Sequence, residues 1–308
     1  MLRSSVILGA CLLALNAIAQ ADDAIDWFDR MRLALQSEDY EGRFVYTSGT
    51  HLEAMYVVHR VSGDVELERL VSLNGPQKQV IRGDRAVACL TPGSHQISVI
   101  EGMGGPVLST DFSSARLQQL YDFSFYDKQR VAGRDARLIK VIPRDNLRFG
   151  YEITVDSQTA LPLRTVMLDA QGRQQSQMMF VDLRTGPDIP PIEHDLSALA
   201  MTGEDRITVP AYVSDPSSSG WAFRELPAGF DLRSYRADAS RQHFIFSDGL
   251  ATISLYVEPV ASAGGFSGFS RMGAARAYGT SRHDRQVTAV GEAPGETLRL
   301  IANAIVPK

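Results

Sequence analysis

From about Tyr40 to Leu183, apolar and polar residues alternate in short runs punctuated by Gly, Pro, Asn and Asp. A period of two sets one side of each run against a core and the other toward solvent, which predicts β-strands. "RFVYTSGTHLEAMYVVHRV" reads as a hairpin around Ser48-Gly49. "VELERLVSLNGPQKQVIRGDRAVACLTPGSHQISVIEG" supplies further strands broken at Asn74-Gly75-Pro76, Gly83-Asp84 and Pro92-Gly93. A helical interruption, "SSARLQQLYDF", follows, and the alternation then resumes in "QRVAGRDARLIKVIPR", "YEITVDSQTALPLRTVMLD" and "RQQSQMMFVDL". Ahead of the strands, Ile25, Trp27, Phe28, Met31 and Leu35 recur at helical spacing behind two aspartates suited to capping. Sequential hairpins predict an antiparallel meander rather than alternating βα units. A long meander flanked by helices tends to curl around them into a half-closed barrel.

The pattern breaks between residues 184 and 220, where five prolines and a serine-rich end leave little periodicity. That stretch reads as a connector with a short helical turn at Leu196–Ala200. Beyond it lies a second β unit. Its clearest hairpin is "RQHFIFSDGLATISLYVEP", in which Phe244 and Phe246, then Ala251, Ile253, Leu255 and Val257, share one face around Asp248-Gly249. The chain closes on a helical stripe of Leu298, Ile301, Ala302 and Ile305 after Pro294. The expected architecture is mainly β (α+β), with a leader at 1–21, a large domain at 22–195, a Pro-rich linker at 196–215 and a small domain at 216–308.

The first residues bear on location. Arg3, an apolar run from Val6 to Ile18, and Ala17, Ala19 and Ala21 make a secretory signal, cut after Ala19 or Ala21, that is too short for a membrane span. "LGAC" resembles a lipoprotein cleavage box, but the apolar run continues past it, so cleavage at the alanines is the expectation. Of two cysteines only Cys89 lies outside the leader, so no internal disulfide and no cysteine-based zinc site are expected. A formal charge of -5 argues against nucleic acid or an anionic membrane as the general partner.

A search for reactive chemistry returns little. His51, His59, His95, His194, His243 and His283 are scattered, with no pair four apart around a glutamate. Glu193, His194 and Asp195 cluster in the connector and read as a polar linker tip. "GGFSGFSRMG" does not fit a nucleophile elbow at Ser267 or Ser270, and no lysine accompanies it to make a phosphate cradle. "GMGGP" reads as a flexible turn, and Glu66 and Glu68 share one side of a strand, read as solvated. No catalytic residue, metal site or cofactor is expected. Two features point to binding instead. Phe266, Phe269 and Arg271 in a glycine-rich loop, with Trp221, are candidate partner anchors, against the alternative that the aromatics fold back over the small sheet. Phe44, Tyr46, Tyr56 and Val58 are candidates to line a hydrophobic cavity for an acyl chain, against a packed core.

"DYEGRFVYTSG", "HLEAMYVVHRV", "ERLVSLNGPQKQVIR", "WAFRELPAGF" and "FIFSDGLATISLYVEP" together resemble, in order, the recurring blocks of the MucB/RseB family. These are periplasmic regulators of envelope-stress (sigma-E or AlgU type) sigma factors. The resemblance implies a large domain like the lipoprotein carriers LolA and LolB and a smaller antiparallel sheet with a helix. It implies no enzymatic activity. It further implies binding to the periplasmic part of a membrane-spanning anti-sigma factor, protection of that part from the site-1 protease, and release by lipid, lipopolysaccharide or lipoprotein acyl chains. A carrier of lipoproteins is the alternative. The sequence leaves a homo-oligomer open, and the connector allows the two units to change orientation.

Overall fold

The computed structural model describes residues 24–308 except 64, 84–85, 92–95, 102–112, 193–204, 210–214, 239 and 261–264. The expected leader, the "GMGGP" turn, the 193–195 cluster and the helical turn at Leu196–Ala200 lie outside the described residues. Helix α1 spans 24–37 and buries Ile25, Trp27, Phe28 and Met31 of the expected stripe together with Ala24 and Ala34, while Leu35, also expected there, is half-buried. Eleven strands then follow: β1 (Tyr40–Ser48), β2 (His51–Ser62), β3 (Val65–Ser72), β4 (Gln79–Arg82), β5 (Ala86–Thr91), β6 (Gln96–Glu101), β7 (Tyr121–Val131), β8 (Arg134–Pro143), β9 (Gly150–Asp156), β10 (Pro162–Leu168) and β11 (Gln174–Thr185). Between β6 and β7, α2 (Ser114–Leu120) is capped by Ser113, whose side chain accepts from the Arg116 N–H.

Two meanders, β1 to β6 and β7 to β11, are joined where β11 pairs with β1, giving a 12-stranded sheet in the order β12-β6-β5-β4-β3-β2-β1-β11-β10-β9-β8-β7. The joint is close. At Gly42 an added Cβ would lie 2.5 Å from the Asp182 carbonyl oxygen and 2.9 Å from the Phe180 ring, next to a register shift between Arg43 and Phe44. Only a residue without a side chain lets β11 approach there. The sheet is curled. β7 and β11 stand four places apart, which in a flat sheet is roughly 19 Å; here they come within 8 Å (Cα–Cα) of one another. Within the curl α1 stacks Trp27 on Phe125 and sets Phe28 edge-on to Phe123, so one apolar core joins the helix to Tyr40, Val57, Ile139, Leu163 and Phe180.

Strand β12 (Asp205–Val209) lies inside the stretch read as a Pro-rich connector, where no strand was expected. It adds to the large sheet in parallel with β6, the one parallel ladder among the described strands. "DRITV" has β-branched residues, and β6 would otherwise offer an unpaired edge. The second unit is a six-stranded sheet, β14-β15-β16-β19-β18-β17, built from β14 (Asp231–Ala237), β15 (Gln242–Ser247), β16 (Thr252–Pro259), β17 (Gly268–Met272), β18 (Ala275–Arg282) and β19 (Arg285–Gly291). A ribbon of β13 (Trp221–Phe223) and β20 (Ile305–Pro307) flanks it. The alternation in β15 and β16 holds, with Phe244, Phe246, Ile253 and Leu255 fully buried. Helix α3 (Gly295–Asn303) covers this face with Leu298, Ile301 and Ala302, while Ile305, expected on the helix, belongs to β20.

The two sheets meet along a bonded seam. Tyr121 Oη donates to Asp248 Oδ2 (2.9 Å), and Arg148 Nε lies 3.0 Å from the same oxygen, with both charged side chains fully buried. Arg148 also donates to Asp145 Oδ2 (3.0 Å) and to the Ala228 carbonyl (2.5 Å). Thr297 donates to the Leu147 carbonyl, the Ala274 N–H donates to Ser48 Oγ, and Phe149, Met167 and Ala274 form a small apolar cluster between them.

Candidate functional site

Three surfaces can do something: a cavity in the curled sheet, the open edge of the small sheet, and the seam. The cavity, about 320 Å³, is lined by Leu35 from α1, Tyr40 and Phe44 from β1, Val57 from β2, Glu68 and Leu70 from β3, Arg82 from β4, Leu161 and Pro162 at the start of β10, and Met178, Phe180 and Leu183 from β11. That size sits at the small end of ligand pockets. Of the four residues expected to line it, Phe44 does, with its ring edge-on to Phe180. Tyr56 and Val58 do not. The β1–β2 turn pairs Ser48 with His51, so even positions on β1 face odd positions on β2: Gly42 pairs with Val57, while Tyr56 and Val58 sit beside Arg43 and Glu41 on the opposite face. There Tyr56 donates to Glu41. Tyr46 lies near the seam end of β1, where its hydroxyl donates to Glu292 Oε1 of the small unit (3.2 Å).

One end of the cavity is polar, which corrects the reading of Glu66 and Glu68 as a solvated face. Both are half-buried, and Glu68 faces the cavity beside Arg82. Burial raises the Glu68 pKa against the opposing pull of Arg82 and His59. His59 itself is fully buried, stacked on Tyr40, with Nδ1 2.8 Å from the Glu38 carbonyl and Nε2 3.2 Å from Glu66 Oε1. Burial also pushes the Tyr40 phenol well up, so its hydroxyl stays neutral. Arg82 on β4 is the counter-charge that offsets an acid at this inward-facing position, and nothing in the period of β3 alone signals it.

The small sheet ends in an open edge, β17, which among the described strands pairs only with β18. Phe266, Phe269 and Met272 are 40%, 59% and 76% exposed there. The aromatics do lean back, Phe266 over Gly279 and Phe269 on Tyr278 and Gly295, yet neither is covered. The fold-back reading of the loop is therefore met only in part, and both rings keep exposed surface. Arg271, expected as an anchor beside them, turns toward the seam and donates to Gln175 Oε1 (3.1 Å) and the Gly273 carbonyl (2.7 Å). Trp221 is half-buried on the β13–β20 ribbon, tilted against His283 and packed on the small-sheet core. There it helps hold the short β13–β20 ribbon onto the small sheet.

Sequence reasoning missed Arg148, Tyr121 and Asp248. Asp248 was legible as a turn residue, and its Oδ1 does accept the Leu250 and Ala251 N–H groups. Nothing local indicated that its other oxygen would meet an arginine a hundred residues earlier in the chain. Among the described residues no group of three His, Cys, Asp or Glu could hold a metal ion.

Fold and surfaces together define a two-sheet binding protein, with an apolar pocket in one unit and an apolar open edge on the other. The particular kind is shown by comparison: the chain belongs to the MucB/RseB family, whose N-terminal domain matches residues 23–198 and whose C-terminal domain matches residues 215–306. The sigma factor AlgU regulatory protein MucB of Pseudomonas aeruginosa is 31% identical over 316 residues, covering 99% of this chain and 97% of that one. The sigma-E factor regulatory protein RseB of Escherichia coli K12 is 26% identical over 315 residues, covering 98% and 96%. The solved complex of Pseudomonas aeruginosa MucA/MucB aligns with a TM-score of 0.71 at 28% identity, over 93% of this chain and 99% of that one. The family is one of regulatory binding proteins.

Proposed function

We propose that this protein is a periplasmic regulator that binds the periplasmic segment of a membrane-spanning anti-sigma factor. By occupying that segment it shields the site-1 cleavage region and keeps an envelope-stress sigma factor sequestered. The observation that carries this reading is the likeness, across both sheets, to a MucB solved together with MucA. We read residues 1–21 as the leader removed on export, and 22–195 and 216–308 as the two domains. The exposed Phe269 and Met272 on an open strand edge support a polypeptide partner, because apolar side chains on an unpaired edge are what an added strand or an apolar segment covers.

Release follows if a second ligand binds a state that holds the segment less well. An acyl chain is the ligand class that suits the cavity: most of its lining is aliphatic or aromatic, and Arg82 at one end suits an acidic headgroup. The same cavity supports the second reading, a carrier of lipid or lipoprotein, which a reconstituted transfer assay separates from regulation. The direct test is protection. The anti-sigma periplasmic segment is digested by its site-1 protease with and without this protein, and an acyl lipid is then added. Dose-dependent protection reversed by lipid is expected; equal cleavage at every dose would falsify the regulatory reading.

A further inference from the structure

At the seam, the turn between β10 and β11 faces strands β17 and β18. Asp169 in that turn accepts from the Gln171 and Arg173 N–H groups, from Arg173 Nε (2.9 Å) and from Gln175 Nε2 (3.0 Å), so its carboxylate is fully engaged by its own turn. Across the seam, Arg271 and Arg276 both donate to a single neutral atom, Gln175 Oε1, at 3.1 and 2.9 Å. The Arg276 guanidinium lies over the Phe149 ring, 4.8 Å from its centroid. Its charge is disfavoured first by burial and then by Arg271 and Arg173, with Asp169 the one opposing charge. Three guanidinium groups thus gather around a single carboxylate, their remaining acceptors being neutral: Gln175 Oε1, Gln171 Oε1 for Arg173 (3.1 Å) and the Gly273 carbonyl for Arg271 (2.7 Å). An amide oxygen accepts hydrogen bonds but cancels no charge, and forks of this kind match oxyanions in both geometry and sign.

We propose that Arg173, Arg271 and Arg276 form a binding site for a phosphate-class oxyanion, which clamps the β10–β11 turn of the large sheet to β17 and β18 of the small one. A tetrahedral dianion offers several oxygens to several forks and neutralises the two surplus charges, which a carboxylate does not. Because its ligands come from both sheets, the occupied site stabilises the seam by mass action. The proposal is independent of the anti-sigma reading.

The test is calorimetric titration of the leaderless full chain with inorganic phosphate, at ionic strength held constant with chloride. A second arm uses dioctanoyl phosphatidate, to distinguish a lipid headgroup from the free anion. Saturable binding is expected, weakened at least tenfold in R276Q and in R173Q. Arg173 lies on an exposed turn, so its replacement leaves the fold intact and keeps the result interpretable if R276Q loosens the seam. Binding of both probes identifies a site for the free anion, and binding of phosphatidate alone a headgroup site; either supports the proposal when the variants lose it. Responses no larger than those to chloride for both probes, or R173Q and R276Q both binding as tightly as the parent, overturn it.

Discussion

Replacing Asp248 with asparagine removes one charge from the seam while keeping its shape. Asp248 Oδ1 accepts two backbone N–H groups of its own turn, and an asparagine oxygen can keep both. The Nδ2 group would then face Arg148 Nε, 3.0 Å away, with neither side chain exposed. At that distance and an effective dielectric of ~20, the lost attraction is about 5 kcal/mol before desolvation is counted. Arg148 retains Asp145 at 3.0 Å and the Ala228 carbonyl, so its charge is not stranded. The net cost belongs at the low end of the range for breaking a buried pair, about 3 kcal/mol. Urea unfolding followed by tryptophan fluorescence measures it, because Trp27 lies in the large core and Trp221 on the small one. The intact seam should make both report one transition; D248N should lower the midpoint and draw the two signals apart. Arg148→Met should cost a similar amount, and the double variant less than the two losses combined. A D248N protein within about 0.5 kcal/mol of the parent, unfolding in one transition, would refute the view that this pair couples the sheets.

Gly42→Val should cost about 2–3 kcal/mol in thermal unfolding, because its side chain meets the Asp182 carbonyl and the Phe180 ring; an unchanged midpoint would mean that β1 and β11 can separate without penalty. His243 has a buried Nε2 without a hydrogen-bond partner, and burial, Arg236 and Arg241 push its pKa down to about 4. The unfolded imidazole titrates near ~6.5, so the unfolded chain binds protons first, and stability that is full above that pH falls as pH drops toward 4. His243→Gln should therefore lose less stability than the parent between pH 7 and pH 5, and parallel losses would remove His243 as the cause. Phe269→Ala and Met272→Ala should each weaken binding of the anti-sigma segment by more than about 1 kcal/mol while leaving the melting temperature unchanged. Titrations that superimpose on the parent would take the β17 edge out of the interface.

The strands were legible because period-two alternation and Gly- or Asn-containing turns are local properties. Phe244, Phe246, Ile253 and Leu255 needed no partner information to be assigned inward. What sequence could not supply was register. Once Ser48 pairs with His51, the face of every β2 residue follows; assigning Tyr56 and Val58 by parity from β1 reversed it, and the lining residue is Val57. The seam was hidden for a related reason. Arg148, Asp248 and Tyr121 each look ordinary in their own stretch, and their meaning arises only when β15–β16 docks on β7–β9. The edge aromatics lay between these cases. Their glycine-rich setting signalled a loop, but exposure depended on whether another strand covers β17, and none of the described strands does.

The cavity and the seam are not separate devices, because they share strands. Phe44 lines the cavity, and two residues further along β1 Tyr46 reaches Glu292 and Ser48 receives the Ala274 N–H. On β11, Met178 lines the cavity, and three residues earlier Gln175 receives Arg271 and Arg276. Strands paired along their length move as ribbons, so a chain that wedges β1 and β11 apart at the cavity acts on the contacts that hold the small sheet. Such a ligand shifts the docked arrangement only to the extent that it binds the spread form more tightly than the closed one. The buried Arg148–Asp248 pair opposes such a separation, since its two charged side chains come one from each sheet's unit. On the function proposed above, such a ligand would release the partner only where its apolar binding in one sheet outweighs the polar bonding between the two.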